Sequence, residues 1–203
     1  SEGKKTAASP ENWNTPLGIS KFIQTLRGDE EVLVFELGEY YEGDIRKLCH
    51  LVRPDIGVIT GVNEAHLEKF DSLKRTTATI FELADYLGEK ISYVKWESEH
   101  ARNAARPGHI LYDRNGTGEW KVENAATSLK GTTFTLVKGD IKLELTSSLL
   151  GLHQIGPLAA AADLAFSLGL SPAQVQEGTR KIKPFDHRLE PKMDASGVVI
   201  LDD

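Results

Sequence analysis

Cysteine is nearly absent: Cys49 stands alone among 203 residues. A single thiol excludes an internal disulfide and a cysteine-rich zinc site, and it fits a reducing compartment. A basic surplus is missing too. Lys and Arg number 24 against 30 Asp and Glu, a net charge of −6. That argues against broad nucleic-acid binding and leaves open only a local basic pocket for phosphates. No apolar run approaches the ~20 residues of a helical membrane span, and the N-terminus carries no signal-peptide pattern. The phosphate-loop signature G-x-x-x-x-G-K-[ST] does not occur. Gly3-Lys4-Lys5-Thr6 echoes its end, but no strand precedes it. G-x-S-x-G and a convincing Cys–His pair are also lacking. What remains is ordinary for a soluble globular chain: 40% hydrophobic and 27% charged residues, enough for one large domain or two small ones.

The apolar pattern predicts alternating strands and helices. Lys5–Ser9 reads as a short strand running into the loop Pro10–Pro16, and Leu17–Leu26 as a helix on the spacing of Leu17, Phe22, Ile23 and Leu26. Glu31–Leu37 and Ile56–Thr60 read as buried strands. Between them Glu42–Val52 is helical, with Ile45, Leu48, Cys49 and Val52 on one face and Pro54 as the stop. Ser72–Leu87 is a long helix, followed by strands at Ile91–Val94 and His109–Tyr112. This rhythm predicts an α/β fold with a largely parallel sheet flanked by helices. From about residue 115 to 147 the texture changes to alternation: Gly118–Ala125, Thr132–Lys138 and Ile141–Thr146, with a tight turn at Lys138–Asp140. Helices return at His153–Leu168 and Pro172–Lys181, the second with Ser171 as cap and Pro172 in its first turn. A last strand, Gly197–Leu201, runs into Asp202–Asp203. No linker is evident, so residues 1–203 read as one domain with an antiparallel β insertion.

In a parallel sheet the C-terminal strand ends line the ligand crevice. Glu36, Thr60 and His66 are therefore candidates to converge there, and a carboxylate with an imidazole can hold a divalent cation. A solvated strand-end acid and a capping or core histidine are the competing readings. Glu39, Glu42 and Asp44 read as acids at a helix start, where they favour the dipole. Glu82, among Ile80, Phe81 and Leu83, reads as part of a solvated face. His153 and Gln154 precede an alanine-rich helix. An amide there suits either an adenine edge or an N-terminal cap. Arg188, in D-H-R-L-E at Asp186–Glu190, suits either a phosphate clamp or an ion pair.

Taken in order, these pieces resemble the central ATP-binding domain of the Mur ligases, which build the peptide stem of cell-wall precursors. The resemblance rests on E-N-W-N-T-P-L-G-I at Glu11–Ile19, E-L-G at Glu36–Gly38 and T-G-V-N-E-A-H-L-E-K-F-D-S at Thr60–Ser72. It continues with T-I-F-E-L at Thr79–Leu83, G-L-H-Q-I-G-P-L-A-A at Gly151–Ala160, D-H-R-L-E at Asp186–Glu190 and the closing D-D. The N-W-N-T-P-L-G-I loop looks most like the branch that adds D-Ala-D-Ala to the UDP-MurNAc-tripeptide. The resemblance implies a cytoplasmic, ATP- and Mg2+-dependent amide ligase acting through an acyl-phosphate. It implies Glu36 and His66 as metal ligands, with His66 and Arg188 catalytic. His153, Gln154, Arg188, Asp202 and Asp203 would lie by the nucleotide, and Asn12, Asn14 and Thr60 by the substrate.

The sequence also departs from the family pattern. Ile80 stands fourteen residues after His66, where the family carries a lysine that becomes carbamylated. Gly61, Gln154 and Pro157 replace asparagines, and F-D-S at Phe70–Ser72 replaces F-G-S. The family's phosphate loop would precede Ser1 and its C-terminal domain would follow Asp203. A chain without that loop is expected to lack ligase activity by itself and to bind ATP weakly. An exposed sheet edge would then favour self-association. A non-catalytic binding module of the same ancestry, or another amide ligase of the superfamily related to folylpolyglutamate or cyanophycin synthetases, stays open beside the ligase reading.

Overall fold

Strands β1 (Thr6–Ala8) and β2 (Val32–Val34) pair in parallel, Thr6 opposite Val32 and Ala8 opposite Val34. They belong to a computed structural model that describes residues 3–10, 12–64, 67–185, 189–193 and 198–202. The contacts gather into two compact units, Gly3–Leu111 and Tyr112–Asp203.

In the first unit, α1 (Pro16–Ile23) crosses between β1 and β2. The Thr15 hydroxyl accepts from the Gly18 N–H and Pro16 opens the first turn, so the start is set by local cap chemistry. The helix buries Ile19 and Phe22 and ends before the expected Leu26. The expectation of a buried strand fails at β2. Leu33 is 42% and Val34 51% exposed, and β1 is the only strand paired with β2 among the described residues. Helix α2 (Asp44–Val52) buries Ile45, Leu48 and Cys49 on the face its spacing predicts, and Arg53 leaves it in a left-handed conformation just before Pro54.

Strands β3 (Gly57–Ile59) and β4 (Ser92–Lys95) are parallel, with Ile59 opposite Val94. Gly57 and Ile59 face inward while Val58 is exposed, so β3 is a half-buried strand and not the fully buried one its apolar run suggests. Between β3 and β4 lie the short α3 (Leu67–Phe70) and the long α4 (Leu73–Leu87), whose N-cap Ser72 accepts from the Arg75 N–H. The short α5 (Glu99–Ala104) follows β4. Ile59, Phe81, Ala84, Val94 and Ala101 form the local core.

Glu82 corrects the sequence reading. Its side chain is buried inside α4, not solvated: its two oxygens accept from the Gly43 N–H at 2.8 Å and the Arg46 N–H at 2.9 Å. Gly43, the N-cap of α2, has no side chain of its own to offer. The cap is therefore supplied by another helix, and it ties α2 to α4.

The second unit begins in β5 (Ile110–Asp113), whose start belongs to the first. An antiparallel meander follows: β6 (Gly116–Thr117), β7 (Trp120–Ser128), β8 (Gly131–Lys138) and β9 (Ile141–Ser147). Lys138 sits opposite Ile141. The two-residue turn between them has positive φ at Gly139 and not at Asp140, the pattern of a type II′ hairpin. Helices α6 (Ile155–Ser167) and α7 (Pro172–Lys181) cover one face, and Trp120, Phe134, Leu136, Leu145, Ile155 and Leu158 are among the core. Trp120 stacks on Phe166 at 5.1 Å between centroids and donates its indole N–H to Asp163 Oδ1 at 2.9 Å. A closing hairpin pairs β10 (Glu190–Met193) with β11 (Val199–Asp202). The sequence pattern had shown only the second of these strands.

Candidate functional site

In the first unit the candidate residues sit on loops that leave the strand ends. Asn14 lies just before Thr15, the cap of α1, and Glu36 lies two residues beyond the end of β2. The Asn14 amide Nδ2 donates to Glu36 Oε1 at 2.9 Å, and the Gly38 N–H donates to the Asn14 carbonyl, also at 2.9 Å. The Ser9 hydroxyl accepts from the Glu36 N–H at 3.2 Å. The N-W-N-T-P loop and the E-L-G strand end are thus one cluster, fixed through both backbone and side chains.

Gly38 is required there. A Cβ at this position would fall 2.8 Å from Asn14 Cγ, inside any real contact, so a larger residue would push the amide away from Glu36. Asn12 is exposed in a left-handed conformation with φ 62. No described hydrogen bond draws it toward Glu36.

Thr60 follows β3 directly and is exposed. Its neighbour Gly61 has φ 138. The next residue is pinned from the side: the Ser98 hydroxyl accepts from the Val62 N–H at 3.0 Å and donates to the Val62 carbonyl at 3.3 Å. Ser98 holds the N-cap position of α5 yet makes no side-chain cap bond to that helix. Its hydroxyl serves the Thr60–Val62 loop instead. Sequence reasoning missed Ser98, and also Ser9. Neither lies in a motif; each matters through a partner 27 to 36 residues away.

Glu36 and Thr60 were both expected at C-terminal ends of one parallel sheet. Among the described residues β2 and β3 lie in separate sheets, and no hydrogen bond joins the two side chains. His66, the other predicted metal ligand, lies outside the described residues. Glu36 itself suits a hard divalent cation. Its carboxylate is exposed, and Oε2 makes no hydrogen bond to a described residue.

The acids after Gly38 behave as a helix start requires. Asp44 accepts from the Tyr41 N–H at 3.0 Å, and Glu42 pairs with Arg75, which also holds Asp71 at 2.6 Å. The carboxylates raise the Arg75 pKa further, Glu42 first by its hydrogen bond. Ile80, at the family's lysine position, is partly buried against the Ile59–Phe81–Val94 core.

In the second unit the candidate residues form the mouth of α6. A 3-10 turn at Leu152–Gln154 leads into the helix, so the α-helix begins at Ile155 and not at His153. The Gln154 amide nitrogen lies 3.1 Å from His153 Nε2. With the amide N–H donating, Nε2 accepts and Nδ1 carries the ring proton. Gln154 makes no side-chain cap bond to α6, which removes the capping alternative; among the described residues its amide pairs with the histidine.

Gly151, at φ 98, lies under that ring: a Cβ there would stand 2.5 Å from His153 Cε1. Pro157 falls in the first turn of α6, where the backbone N–H has no helical acceptor and its loss costs nothing. Asp202 ends β11 and is bridged by Lys192, which also reaches Glu190 at 3.2 Å. These two acids raise the Lys192 pKa, Asp202 first. Arg188 and Asp203 lie outside the described residues.

Known proteins resolve what this geometry belongs to. The family model described as the Mur ligase middle domain matches residues 1–165. The UDP-N-acetylmuramoyl-tripeptide–D-alanyl-D-alanine ligase of Haemophilus influenzae is 26% identical over 195 residues, covering 95% of this chain and 42% of its own length. The Bacillus subtilis ligase of the same name is 26% identical over 194 residues, with the same coverage. The fold matches a crystal structure of MurF from Acinetobacter baumannii with a TM-score of 0.86 at 21% identity, covering 99% of this chain and 45% of that one. It matches MurF ligase from Thermotoga maritima, solved in complex with ADP, with a TM-score of 0.80 at 22% identity, covering 98% and 47%. The chain therefore spans less than half the length of the relatives it matches. With four-fifths of its residues under one family model, the chain belongs to the Mur ligase middle-domain family.

Proposed function

We propose that this chain is the nucleotide-handling middle domain of an ATP-dependent ligase that adds D-alanyl-D-alanine to UDP-N-acetylmuramoyl-tripeptide. The observation that carries this reading is the cluster of Asn14, Glu36 and Gly38. It joins the loop most like that branch of the family to the strand-end acid, and similarity to ligases of that name extends over 95% of the chain.

In this reading the substrate carboxylate takes the terminal phosphoryl group of ATP. The amine of the dipeptide attacks the acyl-phosphate, and the tetrahedral intermediate expels phosphate. Such chemistry is governed by positioning and charge neutralisation. Asn14 orients Glu36 through its amide, and Glu36 with His66 would hold magnesium, which when bound neutralises phosphate charge. Asn12, Asn14 and Thr60 face the peptide substrate. His153 and Gln154 offer a joined imidazole–amide edge to the adenine. Arg188 supplies a planar cation for the phosphates, and Asp202 and Asp203 accept from the ribose hydroxyls.

The test is phosphate release by the protein that carries this chain. Release should require ATP, Mg2+, UDP-N-acetylmuramoyl-tripeptide and D-alanyl-D-alanine together. Turnover with a glutamate acceptor instead would move the protein to another branch of the superfamily. No turnover with any acceptor, in a protein that still binds the tripeptide, would make it a binding module.

A further inference from the structure

Lys95 is the last residue of β4. The parallel register sets Ile59 opposite Val94, and Thr60 and Lys95 are the residues that follow these two partners. Both therefore stand at the C-terminal ends of adjacent parallel strands, the side of an α/β sheet where ligands bind. The Lys95 stem lies along Gly61: its Cδ is 3.9 Å from where a Gly61 Cβ would be. The side chain is half-buried, and among the described residues it makes neither an ion pair nor a hydrogen bond.

Lys4, Lys5, Lys47, Lys90, Lys138 and Lys192 each pair with a carboxylate. Lys21, Lys74, Lys121, Lys130 and Lys183 also show no ion pair to a described residue, but each of them is exposed where Lys95 is half-buried. A lysine whose stem is packed and whose ammonium has no described counter-charge is free to receive an arriving anion. The floor beside it is prepared. Gly61 adds no side chain, the Thr60 hydroxyl is exposed, and Ser98 holds Val62 at both its N–H and its carbonyl, so the loop is fixed before anything binds.

We propose that Lys95 is a substrate-binding residue that, with Thr60, receives an oxyanion of the reacting molecules. This rests on the ligase reading given above. A peptide carboxylate and a nucleotide phosphate share that chemistry. Thr60 and Lys95 together fit the carboxylate of the acyl substrate, and the kinetic arms below separate the two sources.

The experiment has two readouts. In the protein carrying this chain, Lys95→Met and Lys95→Arg are compared with the unaltered enzyme under ligation conditions. Lys95→Met should raise the KM for UDP-N-acetylmuramoyl-tripeptide by ~10-fold or more, with the KM for ATP within about twofold, and Lys95→Arg should recover most of the loss. A rise confined to the KM for ATP would assign Lys95 to the nucleotide and overturn the carboxylate assignment. Unchanged constants in a variant with an unchanged melting curve would overturn the proposal altogether.

The second readout does not depend on turnover. In the present chain, titration with inorganic phosphate should shift the backbone amide resonances of Thr60 and Gly61, and Lys95→Met should abolish the shift. No shift in the unaltered chain would refute the oxyanion site even if ligation is observed. A shift without ligation would refute the ligase reading and leave the site standing.

Discussion

Replacing Glu82 by alanine tests the central correction to the sequence reading. The side chain is 8% exposed and accepts from two N–H groups in the first turn of α2. Its removal strands both donors at a helix end that has no side-chain cap of its own. A buried donor left unmatched costs ~1–3 kcal/mol, and loss of a carboxylate at a helix N-terminus another ~0.3–1 kcal/mol. Arg46 is exposed and Gly43 half-buried, so water can reach at least one donor and pulls the sum toward the lower end. The net expectation is a loss of about 2–4 kcal/mol.

For a protein of this size each kcal/mol moves the midpoint by ~2–4 °C, so melting should fall by ~5–15 °C. Urea unfolding followed by circular dichroism measures the same loss as a shift in midpoint at constant m-value. Glu82→Gln keeps one acceptor oxygen but turns an amide N–H toward the second donor, so it should recover only part of the loss. A Glu82→Ala variant within 0.5 kcal/mol of the unaltered protein would refute the cap, and the solvated-face reading would stand after all.

Further outcomes follow from single contacts. Gly38→Ala places a methyl group 2.8 Å from Asn14 Cγ; it should cost ~1–3 kcal/mol as overpacking and lower ligation by the full protein through the displaced Asn14–Glu36 pair, as seen by comparing urea midpoints with phosphate release. Gly151→Ala collides with the His153 ring and strains φ 98; the nucleotide KM should rise while the constants for the other two substrates hold. His109 has its pKa lowered from the ordinary value near 6.5, first by burial and then by Arg106, with Asp85 opposing. The unfolded chain therefore binds the proton more readily, so stability from this group is full above pH ~6.5 and falls as the pH drops through that value toward the lower folded pKa. His109→Gln should flatten the pH dependence of the melting midpoint in that window, and an unchanged profile would refute it. Burial first, and then the charge of Glu82, push the Cys49 thiol up to about 11; labelling by a disulfide reagent at pH 8 should occur only as the chain unfolds, and rapid labelling of the native protein would contradict the burial.

What could be read in the sequence depended on how local its cause is. Helix α7 begins at Pro172 and ends at Lys181 as expected, since Ser171 and Gln174 cap each other's backbone within one turn. The turn at Gly139–Asp140 and the strands on either side were equally legible, because alternation and turn chemistry sit side by side in the chain. Glu82 was misread because its partners lie 36 and 39 residues away. The exposure of Leu33 and Val34 depends on what packs over the faces of β2, and composition carries no trace of that. Helices α3 and α5 are too short to show a period. Strand β10, E-P-K-M, has no alternation and is defined by pairing with β11. In the candidate site, motif order flagged Asn14 and Glu36 separately, whereas their hydrogen bond is a product of folding. Ser98 and Lys95 carried no motif signal; the Ser98 hydrogen bonds to Val62 and the β3–β4 register place them beside the Thr60–Val62 loop.

Three residues that depart from the family pattern fit their local structure. Ile80 packs against the core around Phe81 and Val94, so an apolar contact occupies the place of an ionisable chain. Pro157 sits where a helix needs no N–H. Gln154 keeps an amide beside His153 but reaches it with a longer side chain. These three are satisfied by their own surroundings. Asp71, where the family pattern has glycine, instead holds φ 60, a left-handed conformation that favours glycine. At Ile80 the place that the resemblance gives to a carbamylated lysine, an anion, carries no charge. Lys95 is a cation and does not replace it. Its place at the ends of β3 and β4, without an ion pair to a described residue, suits an incoming oxyanion instead, and a Lys95→Met enzyme with intact substrate constants would show that it receives none.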